Sequence, residues 1–456
     1  EMLKHLGVQF VLGETIEKKK KKSSAPYTYS YDMLGEGAKT EADALRYFDS
    51  YRDTILKLTP QCTHANVADN PGISVKLSAI FPRYEFAHHA DVMNVLVART
   101  TELARLAAAA NMGFNIDAEE FDRVDWSLDG IEAVLRDAQL QNWQGFGVVV
   151  QAYGKRAPEV LDWLYALSQQ LDRRIMVRLV KGAYWDAEIK RAQVLGLQDF
   201  AVYTHKAHSD VAYLACAQKL LNMSDRIYPQ FATHNAHTVT AVLQLGAGRP
   251  MAFEVQRLHG MGEAVHEVVL QQNQTRCRIY APVGAHKDLL AYLVRRLLEN
   301  GANGSFVHKM ADADIPAVDV AADPWGDVKP LAHEWERGWG EGAKNIAASS
   351  QPSPPIPLPL AGEGSNTSPV VAPRDLFAPN RQNSKGWDLT DRVTLAQLEY
   401  NIPAFTGSTD GLDVVRNPAT DEVIGAVKLA TPDDVAGAIA RAVAAQPNWA
   451  HTSVTD

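Results

Sequence analysis

The sequence predicts an α/β protein built on a (βα)8 barrel, and three observations carry the prediction. Eight short runs rich in Val, Ile, Leu, Phe and Tyr, each bounded by turn residues, read as strands. Helical patterns fill the gaps between them. Residues able to do chemistry recur at or near the carboxyl ends of the runs, where a barrel of this kind builds its active site. The rival, a doubly wound open sheet holding a dinucleotide, calls for G-x-G-x-x-G after a strand, and none follows any of the runs.

In chain order, the first strand is expected within YTYSYDMLGE, Tyr27 to Glu36. GISVKLSA follows and delivers Lys76, and DVMNVLVARTTELARLAAAA continues as helix. GFNIDAEE delivers Asp117, FGVVVQAYGKR delivers Gln151, and IMVRLVKGAYWD delivers Arg178 and Lys181. After the helical DVAYLACAQKLL come YPQFATHN with Thr233 and His234, MAFEVQRLHG with Gln256 and Arg257, and RCRIYAPVG with Tyr280. KDLLAYLVRRLLENG is the last strong helix, punctuated by Asn300-Gly301-Ala302-Asn303-Gly304.

Around this barrel, taken as residues 27–310, the texture changes. Residues 1–26 read as a helical lead-in ending in the Lys18 to Lys22 run, and residues 311–348 as an extension of the barrel. Residues 349–373 are rich in Pro, Ser and Gly, the composition of an extended or disordered linker. Residues 374–456 hold one strand-like piece, LDVVRNPATDEVIGAVKLA, and one helix, PDDVAGAIARAVAAQ, with Asp433 and Asp434 favourably placed in its first turn. They read as the start of a domain whose body lies beyond, and EMLKHLGVQFVLG at the other end reads as the interior of a longer protein.

Composition narrows the classes. With 46% hydrophobic and 22% charged residues this is ordinary globular material, and no apolar run approaches the roughly 20 residues of a membrane span. A net charge of −9 gives no basic face for nucleic acid, and the lysine run reads as a solvated segment. Cys62, Cys216 and Cys277 are widely spaced and form no C-x-x-C, which suggests a reducing compartment and no metal cluster.

Four constellations could do chemistry. In the last helix, Leu289, Leu290, Leu293, Leu297 and Leu298 form an apolar stripe, with Tyr292, Arg296 and Glu299 on another face and Arg295 placed to meet Glu299 at i+4. Alone this reads as a surface helix with an exposed ion pair; just after a barrel strand, adjacent arginines offer two forks for a carboxylate. Lys76 and Asp117 either pair to satisfy buried charge or form a cationic wall with a carboxylate that orients a substrate. Arg178, Lys181, Gly182, Tyr184 and Trp185, with Gln151, suit a flavin or equally a cationic loop over a packed aromatic pair. His234, His237 and His259 lack the acidic partner of a zinc pattern, so a hydrogen-bonding or structural role is expected and no metal.

VKLSAIFPRY, IDAEEFDR, RLVKGAYWDAEIKRAQ, PQFATHNAHT, QRLHGMGE and RIYAPVGAHKDLLAYLVRRLLENGANGSFVHK, taken in order from about Gly7 to Lys309, resemble the proline dehydrogenase domain of the bifunctional bacterial proline utilisation A family. RDLFAPNRQNSKGWDLTD and NPATDEVIGAVKLATPDDVAGAIARAVAAQPNW are similar to the opening of that family's NAD-dependent aldehyde dehydrogenase half, and the chain stops short of a nucleotide site or nucleophilic cysteine there.

The resemblance implies a distorted (βα)8 barrel that binds FAD non-covalently and oxidises L-proline to 1-pyrroline-5-carboxylate. Electrons would pass to a membrane quinone, from the inner face of the bacterial cytoplasmic membrane, without a spanning helix. By motif, Arg295, Arg296 and Lys76 would hold the proline carboxylate, Asp117 would support Arg296, and Tyr184, Leu258 and Tyr280 would shape the pocket. Gln151, Arg178, Val180, Gly182, Trp185, Tyr203, Thr204, Lys206, Thr233, His234 and Glu299 fall where the family contacts FAD. A homo-oligomer would form through the aldehyde dehydrogenase region. Against this stand a Schiff-base barrel lyase using Lys76 or Lys181 and a proline-binding regulatory fragment without turnover.

Overall fold

The computed structural model describes residues 27–85, 89–249, 251–284, 290–301, 309, 314–328, 370–401 and 406–453. The lead-in with its lysine run, most of the extension and most of the Pro/Ser/Gly-rich stretch lie outside the described residues.

All eight expected strands form, and they close a parallel barrel in chain order: β1 (Tyr27–Met33), β2 (Gly72–Val75), β3 (Gly113–Ile116), β4 (Phe146–Gln151), β5 (Ile175–Val180), β6 (Ile227–Ala232), β7 (Glu254–Leu258) and β8 (Arg276–Val283). β8 returns to β1 with Tyr27 opposite Cys277 and Met33 opposite Val283, which closes the ring. The helices are α1 (Glu41–Leu58), α2 (His89–Ala109), α3 (Val124–Leu135), α4 (Ala157–Gln170), α5 (Trp185–Leu195), α6 (Lys206–Asn222), α7 (Ala236–Leu245), α8 (Glu263–Gln272) and α9 (Leu290–Gly301). The β5–β6 connection holds two of them, α5 and α6, a departure from strict alternation.

Local chemistry sets the boundaries. Thr40 and Asp43 form a capping box that starts α1, the Asn235 side chain accepts from Thr238 N–H to start α7, and Gly196 in the left-handed region stops α5. The seventh strand begins at Glu254 rather than within the preceding MAF, because Ala252 N–H turns back to Arg249 O.

The two faces of the strands divide by polarity. Outward residues such as Ile73, Val75, Phe114, Val148, Val177, Leu179 and Phe231 are buried with Tyr51, Ile55 and Leu58 of α1 and Leu103 of α2 in one apolar core. Inward residues bond to one another within the barrel, in one case across the axis between strands that are not neighbours. Asn115 donates to Gln230 at 2.9 Å, linking β3 to β6. Gln230 donates to Glu254 at 3.0 Å and Gln256 does so at 2.7 Å. The Arg278 guanidinium meets Glu254 at 2.7 Å and donates to the Asn70 and Ala68 carbonyls at 2.9 and 2.8 Å. In this set Gln256 Oε1 is buried without a partner; the other side chains meet the condition under which burial is tolerated.

Residues 391–456 form a separate compact unit. It contains α10 (Arg392–Asn401), an antiparallel hairpin of β9 (Asp413–Arg416) and β10 (Val423–Val427), and α11 (Pro432–Ala450), which starts at a Thr431–Asp434 capping box. Among the described residues no helix is long and apolar enough to cross a membrane.

Candidate active site

Lys76 is the first residue beyond β2, and its ammonium sits at the carboxyl end of the barrel interior. It donates to both oxygens of Asp32 at 3.0 Å, to Asp117 at 3.3 Å and to the Tyr280 hydroxyl at 3.2 Å. Burial alone would lower the Lys76 ammonium, but Asp32, Tyr280 and Asp117 push it well above its ordinary value. Burial lifts the Asp32 carboxyl, with Lys76 opposing.

Asp117, just past β3, is the hub. It accepts from Lys76, from Tyr280 at 2.8 Å and from Arg178 at 3.0 Å. Arg178, aimed inward from the middle of β5, brings the guanidinium that Asp117 meets, while the Arg296 guanidinium, which the resemblance would have Asp117 support, lies over the Tyr292 ring, 5.4 Å from its centroid. Arg178 also donates to Ser74 at 3.1 Å and Ser30 at 3.2 Å, so one guanidinium ties β5 to β1, β2 and the β3 end.

Above this hub, α9 brings Arg295 over the Tyr184 ring, 5.1 Å from its centroid. Arg295, which the i+4 spacing would pair with Glu299, forms a two-point ion pair with Glu36, in the loop after β1, one of its bonds being 2.7 Å. Burial alone would lower the Arg295 guanidinium and raise Glu36, but the pairing raises the first and lowers the second. The Glu299 side chain lies outside the described residues. Leu258 and Tyr280, opposite one another on β7 and β8, pack with Leu34, Met261, Tyr292 and Leu293, so α9 closes on an apolar wall.

The residues expected at FAD line the adjoining loops. Gln151 is anchored at both ends, donating to Glu119 O at 2.8 Å and accepting from Ala183 N–H at 3.3 Å. Val180 O accepts from Ala152 N–H at 2.9 Å, and Tyr203 O accepts from the Trp185 indole at 2.8 Å. Lys206 opens α6 and shares Asp210 with Lys181, next to Thr204. Thr233 supplies its hydroxyl to Asn235 N–H at 3.2 Å. His234 Nε2 accepts from Leu258 N–H at 2.9 Å, which puts the proton of the neutral ring on Nδ1. Burial and the nearby His266 hold the His234 pKa down at about 3.

Two local features fit a large anionic cofactor. Arg178 Nε is buried and without a hydrogen-bond partner, inside the barrel mouth. His205 gives α6 no side-chain cap, so the backbone N–H groups of its first turn are available to a phosphate. Gly182, beside them, has φ +136°, and a Cβ there would stand 2.5 Å from the Tyr153 ring, so this turn and its packing against Tyr153 call for glycine.

Sequence reasoning did not single out Asp32, Glu36, Ser30, Ser74 or Glu188. Asp32 stands at the end of YSYD, the same strand-end position that flagged Lys76 and Asp117, so that signal was present. Glu36 pairs with a residue 259 positions away and carries no local signal.

A family profile described as proline dehydrogenase matches residues 13–309. The bifunctional protein PutA of Escherichia coli (strain K12) is 44% identical over 97% of this chain and 34% of its own length. A crystal structure of Bradyrhizobium japonicum proline utilization A, mutant D778Y, superposes with TM-score 0.78 at 44% identity, covering 98% of this chain and 41% of that one. That of proline utilization A from Bdellovibrio bacteriovorus inactivated by N-propargylglycine gives TM-score 0.76 at 25% identity, over 99% and 46%. The chain thus spans about a third of the length of the curated relative. A barrel mouth that gathers Lys76, Arg178, Tyr184, Tyr280 and Arg295, and a profile match across the whole barrel, have one reading: this chain belongs to the proline dehydrogenase family.

Proposed function

We propose that the chain oxidises L-proline to 1-pyrroline-5-carboxylate. The observation that carries this reading is the pairing of a carboxylate-binding arginine, Arg295, with the flat walls of Tyr184 and Tyr280 and the apolar side of Leu258, in a barrel matched by the family profile. FAD, when bound, would supply a two-electron acceptor for the hydride of proline C5, with a membrane quinone as the onward electron acceptor. Arg178, Gln151, Gly182, Trp185, Lys206, Thr233 and His234 would hold it, with Val180, Tyr203, Thr204 and Glu299 beside them.

The chain's own residues bind and orient. Arg295, with Arg296 one residue on, takes the proline carboxylate in exchange for Glu36, and Lys76 adds positive charge beneath. Fixing a small hydrated zwitterion in one orientation can remove several kcal/mol of barrier, within the roughly 7–11 kcal/mol available to positioning. Hydride departs only with the amine lone pair free, so the substrate must first lose a proton. Asp32, Asp117 and Glu36 are already engaged in ion pairs with Lys76, Arg178 or Arg295, which leaves that proton to solvent. The lyase reading needs a neutral lysine, whereas Lys76 is held charged and Lys181 is paired with Asp210. Contact with the membrane would be peripheral, at the cytoplasmic face.

Anaerobic addition of L-proline to the FAD-loaded protein should bleach the visible flavin band, and N-propargylglycine should inactivate it. A spectrum indifferent to proline overturns the reading, and borohydride trapping of a substrate on Lys76 or Lys181 would replace it with the lyase.

A further inference from the structure

Helix α5 begins at Trp185, directly after Tyr184, and its far end is held by residues that follow the barrel by a long interval of chain. Val370 packs with Ile189 and Ala192 of α5 in a small apolar cluster that includes Trp185. Gln193 donates to Val371 O at 3.0 Å, Asn383 donates to Gln193 O at 3.2 Å, and Gly386 N–H donates to Gly196 O at 2.9 Å. The backbones are close enough that a Cβ on Gly386 would stand 1.6 Å from Leu195 O. Arg191 completes the attachment, donating to Asp388 at 3.0 Å and Thr390 at 3.3 Å while its Nε lies 3.5 Å from Asp122. Residues 370–390 belong to the same compact unit as the barrel.

Arg191 thus joins two segments to the helix: the turn that follows Asp117, and the 370–390 stretch. It lies seven residues from Tyr184, about 10 Å along a helix, too far to touch a substrate held by Arg295. A rotation or slip of α5 would move Tyr184 against the Arg295 guanidinium that stacks on it and shift Trp185 from the Tyr203 carbonyl.

We propose that residues 370–390 are a strap that sets the position of α5 in the active site, and that Asp388 and Arg191 are positioning residues for proline oxidation. The inference rests on the reading of the site as a proline dehydrogenase. It places control of the proline pocket partly in the chain that leads to residues 391–456.

The test uses the full chain. Asp388→Ala should raise the proline KM about tenfold and weaken FAD binding, read by quenching of tryptophan fluorescence, at least threefold. The kcat per bound flavin and the melting temperature should change little. The exchange Asp388→Arg with Arg191→Asp should restore KM to within about threefold, whereas Arg191→Asp alone should match Asp388→Ala. A lowered melting temperature with KM and FAD affinity unchanged would mean that the strap is only structural and overturns the proposal. If the parent chain fails to oxidise proline, the functional reading falls by itself, and the strap is then decided by FAD affinity: unchanged in Asp388→Ala, it is refuted.

Discussion

Arg178 on β5 reaches Asp117 beyond β3, Nη1 to Oδ1 3.0 Å, and so bonds parts of the barrel that are not neighbours in the sheet. The guanidinium is almost wholly buried; Nη1 also donates to Ser74 and Nη2 to Ser30, while Nε has no hydrogen-bond partner. Removing one partner of a buried ion pair costs about 3–5 kcal/mol, because the other charge is left behind. Arg178→Ala should therefore lose stability of that order in urea unfolding and bind FAD more weakly. A variant matching the parent in both would remove Arg178 from the cofactor site.

In the proposed function, Glu36 and the proline carboxylate would compete for Arg295. Arg295→Met should raise the proline KM at least tenfold with flavin retained, and Arg296→Met should raise it strongly too. Glu36→Gln should lower KM several-fold by releasing Arg295. Steady-state kinetics decide this: a KM raised by Glu36→Gln would show that the carboxylate holds Arg295 in its working position.

Lys76→Met leaves Asp32 and Asp117 together without their shared cation. A loss of about 3–5 kcal/mol is expected, with proline turnover abolished. Adding Asp32→Asn to Lys76→Met should recover part of the stability, since it removes the stranded charge. Chemical denaturation of both variants and of Asp32→Asn alone closes the double-mutant cycle; strict additivity would mean that the two groups do not interact.

Glu188 on α5 is 5% exposed and accepts from Phe121 N–H at 2.6 Å. Burial pushes its pKa up to about 7, and the Phe121 N–H opposes only part of that rise. A folded value above the unfolded one means the contribution to stability is full below the ordinary glutamate range and is lost as pH rises through about 7. Over that window the effect is about 3 kcal/mol. Glu188→Gln should flatten the fall in melting temperature between mildly acidic and mildly alkaline buffer, and an unaltered pH profile would refute the assignment.

The sequence spoke most clearly where physics is local. Apolar runs bounded by turn residues located the eight barrel strands, and position at or near a strand's carboxyl end flagged Lys76, Asp117, Arg178 and Tyr280, which the barrel brings together. Asp32 obeys the same rule. Helical spacing offers Glu299 to Arg295, and closure of the ring, which puts β1 beside β8, adds Glu36. Choice of partner among several charges depends on that closure, and no local spacing encodes it.

The Asn115–Gln230–Glu254–Arg278 chain along the axis has a consequence for how the ring finds its alignment. Apolar side chains tolerate sliding by two residues, which keeps each on its own face, since any oily neighbour serves nearly as well as another. Amides and ions with fixed donors and acceptors do not: shifting β7 against β8 by two residues would part Glu254 from Arg278, leaving opposite charges stranded in the interior. The polar axis therefore works as a key that fits one stagger of the strands, and the mouth above it inherits its geometry from that fit.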